Sequence, residues 1–387
     1  MRQSACTTGY ARLTPPQARV VLALIALAIA LGTAVALAPT PGGSLAPHAA
    51  GAGDVALYRA EVDRIHNGEG YYQAAAAELT ARGYPTRSVF NWRTPLPMWL
   101  LGKLPTAGWG RALLGAMSLA LVLMAFEALA REEKYPGGSA LAQPPSAVAS
   151  DLHGRKRLCH PPPLFCPAVC ALLLTGPLQL TILGDVFVMP VLWAGVLIGL
   201  SVCAYGLGRS GWGVAFGLAA LFFRELALPY CLLCVALAWR QAERTERAAW
   251  TLGLLAWLLF FVLHCWHVAE LIGVGARAHR LSWIHCGGAE FVIATTRMNA
   301  YLLVLPPWVT ALYLVVAMVG LGGWSTPLGT RIGLSTCLYL AAFAVVGQSF
   351  NQYWGLLVAP LLCFRIARFP AALGDLWRAA FRRPVCA

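Results

Sequence analysis

Three carboxylates and one guanidinium stand where an otherwise apolar chain has little room for charge. Asp54 follows the first long hydrophobic run, Asp185 separates two others, and Arg224 with Glu225 interrupts a fourth, GWGVAFGLAALFFRELALPYCLLCVALAW at 211–239. A carboxylate within reach of a hydroxyl accepts its proton. A guanidinium grips an anion with two parallel hydrogen bonds. Charge near a bilayer core is expensive, so such residues are functional candidates by default. The blander readings are an ion pair at 224–225 that only joins two helices and, for Asp185, a helix-start acid favoured by the dipole.

The stretch that must position these groups is 51–105, the longest polar segment of the chain. It carries Asp54, Glu61, Asp63, Glu69 and Glu78 among 16 acidic residues in all, together with Tyr58, Tyr71, Tyr72, Trp92 and Arg93. Helices that only had to pack would need short connections, so a long loop dense in acids and aromatics invites a functional reading. Its alternative is a solvated loop without chemistry.

Composition sets the solvent. The 387 residues are 59% hydrophobic and 12% charged, against about a quarter charged in soluble domains. This points to an all-α polytopic bundle of about eight to ten spans, forming a single membrane domain over 1–387 with an outer loop at 39–105. The net charge of +13 is spread over short connections and both ends. That is the positive-inside pattern rather than a phosphate-tracking patch, so no nucleic-acid partner is expected. Most of the 12 cysteines lie in apolar runs as small hydrophobes, and the Cys231-Leu-Leu-Cys234 pair lacks a second pair or a His at zinc spacing.

The basic flank of Arg2, Arg12 and Arg19 precedes an uncharged run at 20–38, which places the N-terminus in the cytoplasm and 39–105 outside. The ending Ala36-Leu37-Ala38 also fits signal-peptidase cleavage. The same alternation puts Asp185 outside, 268–298 in a second outer loop, Gln348 to Tyr353 in a short outer turn, and the C-terminus in the cytoplasm. As one helix, 211–239 would be about 43 Å long, well past the ~30 Å core. A hairpin with Arg224 and Glu225 at its outer tip also keeps Arg240, Arg244 and Arg247 inside. His66, His279 and His285 lack metal-ligand spacing and read as ordinary loop histidines.

At this point the order of features resembles the C-superfamily of integral-membrane glycosyltransferases, the GT-C group that includes protein O-mannosyltransferases and lipid A aminoarabinose transferases. The likeness covers about residues 20–240. It rests on Gly51 or Gly53 with Asp54 and Tyr58, on Gly68-Glu69-Gly70-Tyr71-Tyr72, on Asn91-Trp92-Arg93-Thr94-Pro95-Leu96-Pro97, and on Gly184-Asp185 leading through Gly208-Arg209 to Arg224. The chain departs from the family's adjacent acidic pair, because Val55 follows Asp54. This leaves Glu69 and Asp63 as alternative bases.

The resemblance implies transfer of a sugar from a polyprenyl-phosphate donor to a glycan, lipid or protein acceptor at the outer face of the cell membrane, with membrane lipid as the other partner. It implies Asp54 and Asp185 as catalytic residues, and Tyr58, Glu69, Tyr71, Arg93, Arg224 and Glu225 as substrate-binding ones. No cofactor and no metal ligands are indicated; whether a divalent cation assists stays open. The competing reading is a transporter or flippase with Asp185, Arg224 and Glu225 along its path, which would need polar groups at mid-depth and access from both sides.

Overall fold

The computed structural model describes residues 8–38, 53–134, 164–241, 244–273, 276, 278, 286–322, 324 and 326–382. Their regular elements are all helical. In order they are α1 (Pro15–Leu37), α2 (Asp54–His66), α3 (Tyr71–Ala81), α4 (Val89–Trp92), α5 (Pro95–Lys103), α6 (Ala107–Lys134), α7 (Phe165–Gln179) and α8 (Pro190–Gly206). There follow α9 (Ser210–Phe223), α10 (Leu228–Gln241), α11 (Arg244–Leu271), α12 (Gly288–Thr296), α13 (Ala300–Val304), α14 (Pro307–Gly320), α15 (Pro327–Val345) and α16 (Ala359–Ala380).

Four described helices, α1, α6, α11 and α15, are long and apolar enough to cross a membrane, and a fifth span arises if the 3-10 segment Phe350–Leu357 and α16, bent by 59°, count as one. The apolar helices α7, α8, α9 and α14 are shorter. At 1.5 Å per residue a 14-residue helix reaches only about 21 Å. The eight to ten spans expected from run lengths therefore become four or five full-length helices and shorter apolar ones. Pro306-Pro307 divides α13 from α14 in a run that composition alone makes continuous.

At the centre lies α8, apolar on every face and buried from Pro190 to Tyr205, as a core helix must be. It packs on α6, α9, α15, α16 and the 3-10 segment Ser349–Leu357. Two glycines let that segment in. A Cβ on Gly195 would stand 2.1 Å from the Leu356 carbonyl oxygen, and one on Gly355 would stand 1.8 Å from that of Thr295.

The chain at 211–239 folds as the expected hairpin. Its arms are α9 and α10, and Cys231 Sγ donates to the Gly217 carbonyl at 3.3 Å. These residues lie equally far either side of Arg224, which puts Arg224 and the 3-10 turn Glu225–Ala227 at the tip. Above the tip, α2 to α5 form a helical cap. Its α2 turns Leu57, Val62 and Ile65 against α3 and α5, and Thr94 Oγ1 donates to the Phe222 carbonyl at 3.2 Å, fixing the cap to the end of α9.

Arg209 and Arg240 stand exposed at the two open ends of the hairpin. In a background with the exposed Cys286 changed to Ser, Arg209→Cys and Arg240→Cys should label with a membrane-impermeant maleimide from the same side. Labelling from opposite sides would mean that this segment crosses the membrane only once.

Candidate functional site

Asp54 opens α2, after Gly53 at φ 99°, a conformation open to glycine. Its Oδ1 accepts a hydrogen bond from the Tyr84 hydroxyl at 2.9 Å, and the Tyr353 hydroxyl faces the same carboxylate. One turn along α2, Tyr58 is 2% exposed. Burial pushes its phenol pKa up, more than the Arg93 charge pulls it down, so the hydroxyl stays neutral and accepts from Arg93 Nε at 2.8 Å.

Arg93 is the hub. Besides Tyr58, its Nη2 donates to the Tyr353 hydroxyl at 3.3 Å and its Nη1 to the Phe90 carbonyl. Its backbone lies at φ 59°, a region that costs a non-glycine residue about 1–3 kcal/mol and persists only where the surroundings enforce it. The enforcement comes from Tyr71, whose hydroxyl donates to the carbonyls of Trp92 and Arg93. Tyr71 thus shapes the site from behind.

The hairpin tip rises beneath this hub. Arg224 is 3% exposed, and its Nη1 stands 3.2 Å from Glu225 Oε1. Among the described residues Arg224 Nε and Nη1 and Glu225 Oε2 have no hydrogen-bond partner. Tyr58 and Tyr353 both feel the charges of Asp54, Arg93 and Arg224, and Glu225 acts on Arg93. Of the residues expected to act together, Asp54, Tyr58, Arg93, Arg224 and Glu225 converge, with Tyr71 behind them.

Two do not. Asp185 is bound by Arg59 at 3.1 Å and Arg111 at 3.4 Å. Arg59 leaves α2 about 100° round from Tyr58, so Asp185 lies at the cap end, as expected, but on a different face of α2 from the Arg93 hub. Glu69 pairs with Arg64 at 3.0 Å, and the same guanidinium reaches Glu78 at 2.6 Å. Glu69 therefore belongs to an ion-pair cluster of the cap, and Asp63, paired with Arg59 at 3.3 Å, lies outside the hub as well. Cys231 and Cys234 are buried and free. Arg277, His279, Arg280 and His285 lie outside the described residues.

Sequence reasoning missed Glu61, Tyr84 and Tyr353. Glu61 is 2% exposed, and its Oε2 bonds nothing among the described residues. Burial raises its pKa from the ordinary 4.5 to about 8, with Arg93 opposing and Glu78 and Asp54 reinforcing. A signal was present, since Glu61 shares the apolar stripe of Leu57, Val62 and Ile65. The aromatics carried none beyond their type.

Comparison with known proteins adds no family: no protein-family model, no curated protein and no solved structure matches the chain.

A raised carboxyl pKa makes stability depend on pH. Between 4.5 and about 8 the folded chain holds the Glu61 proton more tightly than the unfolded chain does. The contribution is complete below 4.5 and is lost as pH rises through about 8. Thermal melting in detergent across this window should show wild type losing stability relative to Glu61→Gln. Parallel curves would show that Glu61 does not hold its proton in the folded state.

Proposed function

We propose that the protein is a membrane glycosyltransferase that moves a sugar from a polyprenyl-phosphate donor to an acceptor hydroxyl, in the manner of the C-superfamily its sequence resembles. One observation carries this reading. Arg224, buried and with Nε and Nη1 unsatisfied among the described residues, stands under the same Tyr58–Arg93–Tyr353 hub that Asp54 faces. Glu225 balances the charge of this guanidinium but leaves its Nε and Nη1 without hydrogen bonds, which an anionic oxygen would fill, and a carboxylate across the same hub supplies a base.

The reaction follows from those two groups. The acceptor oxygen attacks the anomeric carbon as its proton passes to Asp54. The bond between that carbon and the phosphate oxygen breaks, and its electron pair leaves on the phosphate. Negative charge grows beside Arg224, where a poorly solvated guanidinium is worth more than in water. Glu225 offsets the cost of the buried cation while no donor is present, Tyr58 holds Arg93 at the site, and the half-buried Tyr84 beside Asp54 offers a ring face to the sugar. Attack opposite the leaving phosphate inverts the anomeric centre. In this reading the cap faces outside and the prenyl chain lies among the apolar helices beside the hairpin.

Asp54→Asn should insert normally and lose about 10²- to 10⁴-fold in turnover, the usual worth of a general base. Arg224→Lys keeps the charge without the two-pronged geometry and should weaken donor use, whereas Arg224→Ala should nearly abolish it. Radiolabelled sugar transfer from a panel of polyprenyl-phosphate sugars checks both. If Arg224→Lys is fully active and Arg224→Ala unfolds in detergent, the 224–225 pair is a structural bridge.

A further inference from the structure

Glu61 has no part in the chemistry above, yet it is a buried acid on the same face of α2 as Tyr58. Its surroundings decide which cation it can reach. From α3 and its end come Tyr71, Glu78 and Arg82; from the turn between α4 and α5 comes Arg93; from its own helix comes Asp54. Glu78 holds Arg64 at 2.6 Å and Arg82 at 3.1 Å, and the Arg64 hydrogen bond keeps the Glu78 carboxyl below the usual glutamate range. Both of those guanidinium groups are already paired with an ionised acid. Arg93 differs, because every partner it bonds is neutral: the Tyr58 hydroxyl, the Tyr353 hydroxyl and the Phe90 carbonyl.

We infer that Glu61 is a positioning residue for Arg93: its buried, partly unbonded carboxyl governs whether the guanidinium stays on Tyr58 and Tyr353 or turns inward. This rests on the proposed transfer reaction only in giving Arg93 a task at the site. As the neutral acid, Glu61 competes weakly and the hub stands as described. As the carboxylate, it offers Arg93 a charge-assisted pair about twice as strong as a neutral hydrogen bond. Arg93 then leaves Tyr353, and the Ser349–Leu357 segment keeps only the Tyr353–Asp54 contact of its two polar ties to the cap through Tyr353. Tyr71 confines the change to the side chain, since its hydroxyl still holds the carbonyls of Trp92 and Arg93. The hub therefore stands while Glu61 keeps its proton and opens once that proton is lost.

The test needs no substrate. Purified protein is treated with phenylglyoxal at pH values either side of the Glu61 midpoint, and modification of Arg93 is read by peptide mass spectrometry as a ratio to the exposed Arg87. In wild type the ratio should fall severalfold as Glu61 ionises and pairs Arg93. In Glu61→Gln, which keeps the shape of the neutral acid, it should stay level. A ratio that falls equally in both, or in neither, overturns the inference.

Should Glu61→Gln not fold, difference infrared spectroscopy of wild type replaces it. Loss of a protonated-carboxyl band and protection of Arg93 must then share one midpoint, and separate midpoints overturn the inference. Transfer activity gives the second arm, with an alkaline decline in wild type that Glu61→Gln removes. If the Arg93 ratio switches while no polyprenyl-phosphate sugar is used, the transfer reading fails and the positioning of Arg93 stands.

Discussion

The site depends on one guanidinium held in a backbone conformation it would not choose. Arg93 sits at φ 59° and reaches from Tyr58 of the cap to Tyr353, 260 residues further along the chain. Without that reach the cap and the Ser349–Leu357 segment would be joined by the Tyr353–Asp54 contact and by apolar packing, which fixes proximity but not direction. The strain at Arg93 is sustained by Tyr71 behind it and by the packing of Thr94 on the end of α9. Asp54 meets the Tyr353 phenol, Tyr84 bonds Asp54, and the charge of Arg224 acts on Tyr58 and Tyr353.

The bundle beneath is built to hold such a cap still. Its centre, α8, is buried along its length, and the glycine contacts at 195 and 355 bring the Tyr353 segment closer than any side chain would allow. The far end of the bundle is tied by acids. Glu132 accepts from Trp324 and Thr326 and pairs with Arg368 at 2.8 Å, and Glu246 accepts from Tyr205 at 2.8 Å with Arg331 lying over the Tyr205 ring. Those acids at the far end are matched by neighbouring donors. At the cap end, Arg224, Glu225 and Glu61 keep atoms without partners among the described residues, and at the far end the Nε atoms of Arg331 and Arg368 do so too.

Much of this was legible before any coordinates, and the reasons differ by residue. The helical class followed from composition. The hairpin followed from a run too long for one crossing with charge at its middle, and Arg224 stood out as the cation in that run. Asp54, Tyr58 and Arg93 were legible through the order of motifs. The partners of Asp185 were not legible, because pairing with Arg59 and Arg111 is a tertiary fact. Glu61 was overlooked because an acid in an acid-rich loop reads as solvated unless its register with Leu57, Val62 and Ile65 is followed. Apolar run length gave the helical bundle but not how many of its helices reach full spanning length, which depends on breaks such as Pro306-Pro307.

The central claim is that the space between Asp54 and Arg224 receives a lipid-linked phosphate. It is tested most directly by an experimental structure of the protein in lipid nanodiscs saturated with a polyprenyl phosphate. The account predicts headgroup density against Arg224 Nε and Nη1, on the side of the hub that Asp54 faces, with the prenyl chain running down beside α9 and α10. Headgroup density in the groove between α6 and α7, lined by Ser118, Thr175 and Gln179, with Arg224 still bound only to Glu225, would contradict it.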